Sequence, residues 1–155
     1  MLKIVRLDER LIHGQIVTSW CTGEHITEIM VVDKDVCNNE MRQSLMSMAV
    51  PDGISLIFTD VDGCVQQFDE ECKYEDLMIL FSNPNDILEF LNKGGHFDKV
   101  NIGGMSSKGR RKKICTSVYA DENEVEVLKK IAGKNVQLEA KMLPTDKGLD
   151  VSKLI

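Results

Sequence analysis

Residues 6–15 read RLDERLIHGQ, and this stretch decides the fold because it joins a predicted strand to a predicted helix. An apolar run that favours β structure begins at Leu2, and residues 14–21 carry apolar side chains at helical spacing. In an α/β sheet, ligands bind outside the carboxyl ends of the strands, where such strand-to-helix loops lie. We therefore expect the charged side chains of this loop to form a site.

Strands and helices alternate along the rest of the chain. Six more strands are predicted by apolar or β-favouring runs, of which residues 28–33 and 54–59 are typical of strands buried in a parallel sheet, and by one alternating segment, which is typical of an edge strand. The runs cover residues 28–33, 54–59, 77–81, 99–102 and 114–119, and the edge segment covers residues 136–142.

Helices are predicted between most of these strands. Met41, Leu45 and Met48 recur at i, i+4 and i+7, which predicts the apolar face of a helix capped by the preceding asparagines. Further helices are predicted over residues 60–71, from Asn83-Pro84 onward, and after a capping-box pattern formed by Asp121 and Glu124.

This alternation predicts the fold class: a three-layer α/β fold with a mainly parallel sheet of about seven strands and helices on both faces. No internal repeat or linker interrupts the 155 residues, so we expect residues 1–155 to form a single domain. Right-handed crossovers place the carboxyl ends of the parallel strands at one edge. At that edge Gly103, Gly104 and Ser106 would offer backbone N–H and hydroxyl donors to an anion.

Composition excludes several classes of function. The net charge of −6 argues against non-specific binding of nucleic acid. The five cysteines form no CxxC pair, which favours reduced thiols in the cytoplasm, and no apolar run approaches the ~20 residues that span a bilayer. Met1 leads directly into a strand and not into a signal peptide, so we expect a cytoplasmic protein. The basic run at residues 108–113 fits either a solvated loop or a docking patch for an acidic surface.

His13 is the histidine with neighbours suited to chemistry. Arg6 and Arg10 could bind an anion beside it, and Asp8 could fix the tautomer of the ring. This combination points to phosphate chemistry on histidine. His25 and His96 have no such neighbours, and we expect neither a metal nor a cofactor, since no convincing ligand set is present.

Two other functions stay open at this point. An α/β sheet of this size could belong to a regulator that binds a nucleotide or phosphate without phosphotransfer, although no GxGxxG follows a strand and residues 104–111 lack the Lys-Ser/Thr of a P-loop. A hydrolase could use His13 and Asp8 as acid and base, although no serine or cysteine nucleophile motif supports it.

The loop motif resembles a known family. Arg-x-Asp-x-Arg-Leu-Ile-His-Gly-Gln near an N-terminus is similar to the active-site loop of the IIB component of the mannose/sorbose-type sugar phosphotransferase system (PTS). Further blocks resemble that family in order and extend the similarity over essentially the whole chain: Trp20, Val31-Val32-Asp33, Phe81-Ser82-Asn83-Pro84, Val100-Asn101-Ile102-Gly103-Gly104-Met105 and Pro144-Thr145-Asp146.

The resemblance implies a two-step phosphorelay. His13 would accept a phosphoryl group on Nδ1 from a phosphohistidine of a separate IIA chain, and would pass it to a sugar held by the membrane components IIC and IID. Such a chain is a protein-Npi-phosphohistidine–sugar phosphotransferase that works in the cytoplasm, peripherally associated with the transporter. The sequence specifies neither the sugar nor the oligomeric state.

The resemblance also assigns roles to the loop residues. Arg10 would stabilise the phosphoryl group in transfer, and Asp8 would complete the catalytic set with His13. Three other motif positions would contribute to phosphoryl binding, namely Arg6, Gly14 and Gln15. So would the glycine-rich loop that would form a second wall of the site, through Gly103, Gly104 and Ser106.

Overall fold

The sheet is built around its first strand. A computed structural model describes residues 2–69 and 76–155. Its strands, in chain order, are β1 (Leu2–Asp8), β2 (Glu28–Val32), β3 (Ser55–Thr59), β4 (Leu77–Phe81), β5 (Lys99–Gly104), β6 (Lys112–Cys115), β7 (Val118–Ala120), β8 (Gln137–Ala140) and β9 (Leu149–Asp150). Within the described ranges, seven of them form one sheet in the order β3-β2-β4-β1-β5-β8-β9. All neighbours are parallel except β8 and β9.

Helices cover both faces of the sheet, which confirms the predicted fold class. They are a π-helix (Ile16–Cys21), α1 (Lys34–Cys37), α2 (Glu40–Ala49), α3 (Val61–Asp69), α4 (Pro84–Asn92), α5 (Glu122–Ala132) and a short 3₁₀-helix (Val151–Lys153). Side chains from α3, α4 and α5 form one core, and those from the π-helix, α1 and α2 form the other. Strand β4, which lies beside β1, contributes Ile79 to the first core and Leu80 to the second.

The predicted helix starts are confirmed by their capping contacts. Asn39 accepts a hydrogen bond from the Arg42 N–H at 3.0 Å, and Asn83 begins α4 in the same way. Asp121 and Glu124 form the predicted capping box of α5. The predicted helix at residues 14–21 is present but winds as a π-helix between Ile16 and Cys21. The predicted helix at residues 60–71 is described as far as Asp69, and residues 70 and 71 lie outside the described part, as does Cys72.

Two predictions about the strands after β5 are wrong. Residues 114–119 do not form one strand of the sheet, because the chain turns at Thr116-Ser117 and forms the antiparallel hairpin β6–β7. A bridge between Met105 and Val118 ties this hairpin to the end of β5. β8 is not an edge strand either, because the two-residue strand β9 pairs beyond it. The alternation that suggested an edge arises because one face of β8 packs in the core.

The outer part of the sheet on the other side also differs from the prediction. β3 is the edge strand and is mostly half-buried, so it is not the fully buried run that its sequence suggested. Met41, Leu45 and Met48 of α2, which we call the α2 stripe, are 75%, 62% and 82% exposed. Met46 is the buried side chain of this helix. The helix follows β2 at the outer end of the sheet, where no described residue covers the stripe.

Candidate active site

The loop that follows β1 folds back over the end of its own strand. The Leu11 N–H donates to the Asp8 carbonyl at 3.0 Å, and the Glu9 N–H donates to the Gly104 carbonyl at 3.1 Å. Leu11 has a φ of 56°, a left-handed conformation that is uncommon for a leucine, and its side chain is buried. This tight turn brings Arg10 and His13 back beside Asp8. Such backbone strain is frequent at functional sites.

Asp8 lies at the centre of the site and is fully buried. Its Oδ1 accepts hydrogen bonds from the Arg10 backbone N–H at 3.1 Å and from the Arg10 Nε at 3.3 Å. Its Oδ2 lies 3.2 Å from His13 Nε2 and 3.4 Å from Arg6 Nη2. Three basic side chains therefore share one carboxylate, and together they offset the cost of burying its charge.

The contact with Asp8 determines which nitrogen of His13 is available. An ionised carboxylate is an acceptor only, so the neutral ring donates its Nε2 proton to it and keeps its lone pair on Nδ1. The side chain is 20% exposed, and Nδ1 is the ring nitrogen on the opposite side from this contact. Arg10 contacts the same carboxylate and its side chain is 52% exposed, so its positive charge is accessible to an anion.

Arg6 is placed differently from the motif expectation, because its side chain is buried. Its Nη1 donates to Asn101 Oδ1 and, at 3.0 Å, to the Lys141 carbonyl. Its Nη2 donates to the Met142 carbonyl at 3.2 Å as well as to Asp8. Burial lowers the pKa of this guanidinium to about 10, an effect that the Asp8 charge partly opposes. The geometry holds Asp8 and leaves no face of the group open to a ligand in solvent.

Two of the predicted glycines make room for buried side chains. A Cβ on Gly103 would lie 1.9 Å from Arg6 Nη2, and a Cβ on Gly104 would lie 3.2 Å from Asp8 Oδ1. The donors of Ser106 are already engaged, since its N–H and Oγ donate to Glu9 Oε2 at 3.1 and 3.0 Å. Gly14 and Gln15 are exposed directly after His13, at the start of the helix. The structure thus brings Asp8, Arg10 and His13 together and surrounds them with supporting contacts.

The basic run at residues 108–113 is not uniform. Arg111 is a structural member, because it forms an ion pair with Glu9 and a bidentate pair with Glu124 at 2.8 and 2.6 Å. Its hydrogen bond with Glu124 raises the pKa of the guanidinium. Arg110, Lys112 and Lys113 are exposed, and the two sequence interpretations of the run still apply to them.

Sequence reasoning missed the wall that the hairpin adds to the site. A cleft of about 360 Å³ lies between the β1 loop and the hairpin, with Arg10 on one side and Thr116, Ser117 and Tyr119 on the other. Residues 114–119 were predicted as one strand, because no sequence signal indicated the turn at residues 116–117 that brings the hairpin to this cleft. Trp20 also reaches the site from the π-helix, where its ring lies 4.7 Å from the Arg6 guanidinium.

The other histidines lie away from this site. His25 precedes β2 and His96 precedes β5, so both are at the amino ends of parallel strands, opposite to the edge that carries His13. His96 contacts the exposed Asp98 at 3.0 Å. Across residues 2–69 and 76–155, no three His, Cys, Asp or Glu side chains are grouped closely enough to hold a metal ion. No helix in the same ranges has the length and apolar character needed to cross a bilayer.

Comparison with known proteins agrees with the resemblance in the loop. The family model for the PTS system sorbose subfamily IIB component matches residues 2–155. The PTS system fructose-specific EIIB component of Bacillus subtilis (strain 168) is 33% identical over 159 residues, which cover 100% of this chain and 97% of that protein.

A mannose-specific relative is longer. The PTS system mannose-specific EIIAB component of Escherichia coli (strain K12) is 31% identical over 157 residues, and this chain spans 48% of its length. The crystal structure of the IIBSor domain of the sorbose permease from Klebsiella pneumoniae superimposes with a TM-score of 0.89 at 26% identity, covering 99% of this chain and 95% of that one. The chain belongs to the sorbose-subfamily IIB component family of the PTS.

Proposed function

We propose that this chain is a phosphoryl carrier of a sugar PTS, with His13 as the residue that carries the group. The observation that supports His13 most directly is its contact with Asp8, which engages Nε2 and leaves the lone pair on Nδ1, while the half-exposed Arg10 contacts the same carboxylate. A nucleophilic nitrogen next to an accessible guanidinium is what phosphoryl transfer requires, because the remaining work is positioning and charge stabilisation.

In the first step, the lone pair of His13 Nδ1 attacks the phosphorus atom of a phosphohistidine on a IIA component. A new N–P bond forms while the N–P bond of the donor breaks and its electron pair returns to the donor imidazole. The Nε2 proton of His13 stays hydrogen-bonded to Asp8, which stabilises the positive charge that develops on the ring. No metal or cofactor takes part in this scheme.

In the second step, a sugar hydroxyl held by the membrane components IIC and IID attacks the same phosphorus atom. The N–P bond to His13 breaks, the lone pair returns to Nδ1, and the hydroxyl proton leaves to a base on the acceptor side. The phosphoryl group carries nearly two negative charges. Arg10 offsets part of this charge, at about 1.5–3 kcal/mol for each charge-assisted hydrogen bond.

The decisive experiment is phosphorylation of the purified chain by a phosphorylated IIA component. We expect one acid-labile, base-stable phosphate per chain, assigned by ³¹P and ¹⁵N NMR to Nδ1 of His13. A nucleotide-binding regulator would acquire no phosphate, and a hydrolase would release inorganic phosphate without a stable phosphohistidine. Phosphate on Nε2, or on any residue other than His13, would contradict the proposal.

A further inference from the structure

Arg6 carries a buried charge whose presence needs an explanation. Burying a guanidinium is costly, and buried ion pairs are often no more stabilising than apolar side chains of similar volume. Here the four hydrogens of Nη1 and Nη2 have four acceptors: Asn101, Asp8 and the carbonyls of Lys141 and Met142. The Trp20 ring lies over the group at 4.7 Å, and Gly103 leaves space for it. Every contact fixes the orientation of the guanidinium.

That orientation helps to fix the position of Asp8, which Arg10 also holds. Arg6 Nη2 and His13 Nε2 contact the same oxygen of the Asp8 carboxylate, at 3.4 and 3.2 Å. A rotation of the guanidinium would therefore move or release the atom that accepts the His13 proton. The tautomer of a histidine is set by the hydrogen bond of its other nitrogen, so the availability of Nδ1 depends on this shared oxygen.

Asn101 is the side chain best placed to prevent such a rotation. It lies in β5 directly beside Arg6 in β1, in the register of the two paired strands. Its Nδ2 donates to the Glu139 carbonyl of β8 at 3.5 Å, which aims its Oδ1 at Arg6. The other acceptors of Arg6 Nη1 and Nη2, apart from Asp8, are main-chain carbonyls that follow β8. Asn101 is buried, and its hydrogen bonds go to Arg6 and Glu139, not to His13.

We propose that Asn101 is a positioning residue for phosphoryl transfer: it fixes the Arg6 guanidinium, which holds Asp8 and thereby keeps Nδ1 of His13 as the nucleophile. The expected effect on the rate of phosphoryl transfer rests on the proposed function, whereas the expected effect on the tautomer of the His13 ring does not. Without the Asn101 acceptor, we expect the guanidinium to rotate, the contact between Asp8 and His13 to loosen, and the ring to populate both tautomers.

The test compares Asn101→Leu, which keeps the size but loses the acceptor, with Asn101→Asp, which keeps an acceptor. ¹⁵N NMR of His13 reports the tautomer, and phosphoramidate, a small N–P donor that needs no docking surface, reports the rate of phosphorylation. We expect Asn101→Leu to give mixed tautomers and a rate lower by about 10- to 100-fold, as for other groups that orient a functional histidine. Asn101→Asp should recover the wild-type tautomer and most of the rate.

Leu138→Ala is the matched control, because it removes core packing in the neighbouring strand on the other face of the sheet. It should lower the melting temperature without changing the His13 tautomer. If Asn101→Leu fails to fold, Asn101→Ser leaves space for water beside Arg6 and should show the same change in the tautomer.

A folded Asn101→Leu or Asn101→Ser variant with the wild-type tautomer and rate would overturn the proposal. A tautomer change of equal size in Leu138→Ala would do the same. Failure of the wild-type chain to be phosphorylated on His13 would contradict the proposed function, while the NMR comparison would still test Asn101.

Discussion

Asp8 is the residue on which the geometry of the site depends, because three basic side chains meet at its buried carboxylate. Arg6 contacts the carboxylate from within β1, whereas Arg10 and His13 contact it from the loop that follows β1. The two loop residues keep solvent exposure and Arg6 does not. The residues that can meet a phosphoryl group are therefore separate from the residue that holds the carboxylate in place.

His13→Ala should abolish phosphorylation and leave the fold intact. The side chain is partly exposed and makes one hydrogen bond, to the Asp8 carboxylate, so we expect a loss of no more than about 3 kcal/mol in the free energy of unfolding. Phosphate incorporation and urea unfolding check the two halves of this prediction. His96→Ala, at the opposite edge of the sheet, should be phosphorylated normally. Stoichiometric phosphohistidine in His13→Ala would rule out His13 as the carrier.

Arg10→Lys should separate geometry from charge. Arginine can hold two phosphoryl oxygens at once with a planar group, whereas lysine is a point charge on a flexible stem. We expect the variant to accept some phosphate but to lose about 10- to 1,000-fold in transfer to sugar, in line with the loss of one oxyanion donor. The measurement is sugar phosphate formed per phosphorylated chain, with membranes that supply the transporter. Wild-type transfer would place Arg10 away from the reacting atoms.

The sequence motif predicted that its charged residues lie close together, but it could not predict that Arg6 is buried while Arg10 and His13 are partly exposed. His13, Asp8 and Arg10 lie within one short loop, so their proximity follows from local sequence. The burial of Arg6 depends on Asn101 and on carbonyls near the end of the chain, which are distant in sequence. The same holds for Gly103, because the absence of its side chain leaves room for Arg6.

At the scale of elements, Arg111 joins the loop after β1 to α5. It pairs with Glu9 in the loop and with Glu124 in the capping box of the helix. Arg111→Ala should leave both carboxylates without this partner and lower the free energy of unfolding by about 1.5–3 kcal/mol. Arg110→Ala is the neighbouring control and should change it by less than about 0.5 kcal/mol. If urea unfolding gives the same loss of unfolding free energy for both variants, Arg111 has no structural role and the whole basic run is a solvated loop.

The α2 stripe has a chemical consequence that can be measured directly. Met41 and Met48 are exposed, whereas Met30, Met78 and Met105 are fully buried. Mild peroxide should therefore convert Met41 and Met48 to sulfoxides first, with little change in the melting temperature, because these side chains are not part of either core. Peptide mass spectrometry gives the order of oxidation. Early oxidation of Met78, in the buried strand β4, would show that the sheet opens more readily than its packing indicates.

Local sequence patterns predicted where helices begin more accurately than they predicted which strands belong to the main sheet. Asn39, Asn83 and Asp121 act within four residues of the helices that they cap, so their effect can be read from neighbouring positions. Membership in the sheet depends on partners far along the chain. The hairpin at residues 112–120 and the short strand β9 were therefore missed, although the count of seven strands was right.

At the scale of the whole molecule, two thiols report on the two cores separately. Cys21 is the last residue of the π-helix and belongs to the core on that face of the sheet. Cys64 is a residue of α3 and belongs to the core on the other face. Burial raises the pKa of Cys21 to about 11 and that of Cys64 to about 12, so neither forms much thiolate at pH 8. We expect iodoacetamide to modify Cys37 and Cys115, which are half-buried, before either of them.

As urea is added, Cys21 and Cys64 should become reactive at the same concentration, because both cores are built on the shared strands of one sheet and should open together. Mass spectrometry of individual peptides follows each thiol, and the unfolded chain in high urea serves as the fully labelled control. Labelling of Cys21 well before Cys64 would show that the layer over the candidate site opens on its own.

The central place of β1 affects how the molecule can be made. Strand β1 pairs with β4 and β5, which are synthesised about 75 and 95 residues after it by their register. Such distant pairing gives a high contact order and favours slow folding. Strand β1 must stay without its sheet partners, with its apolar side chains exposed, until β4 and β5 have emerged. Since Arg6 also needs the carbonyl of Met142, the complete site can form only after residue 142 has been synthesised.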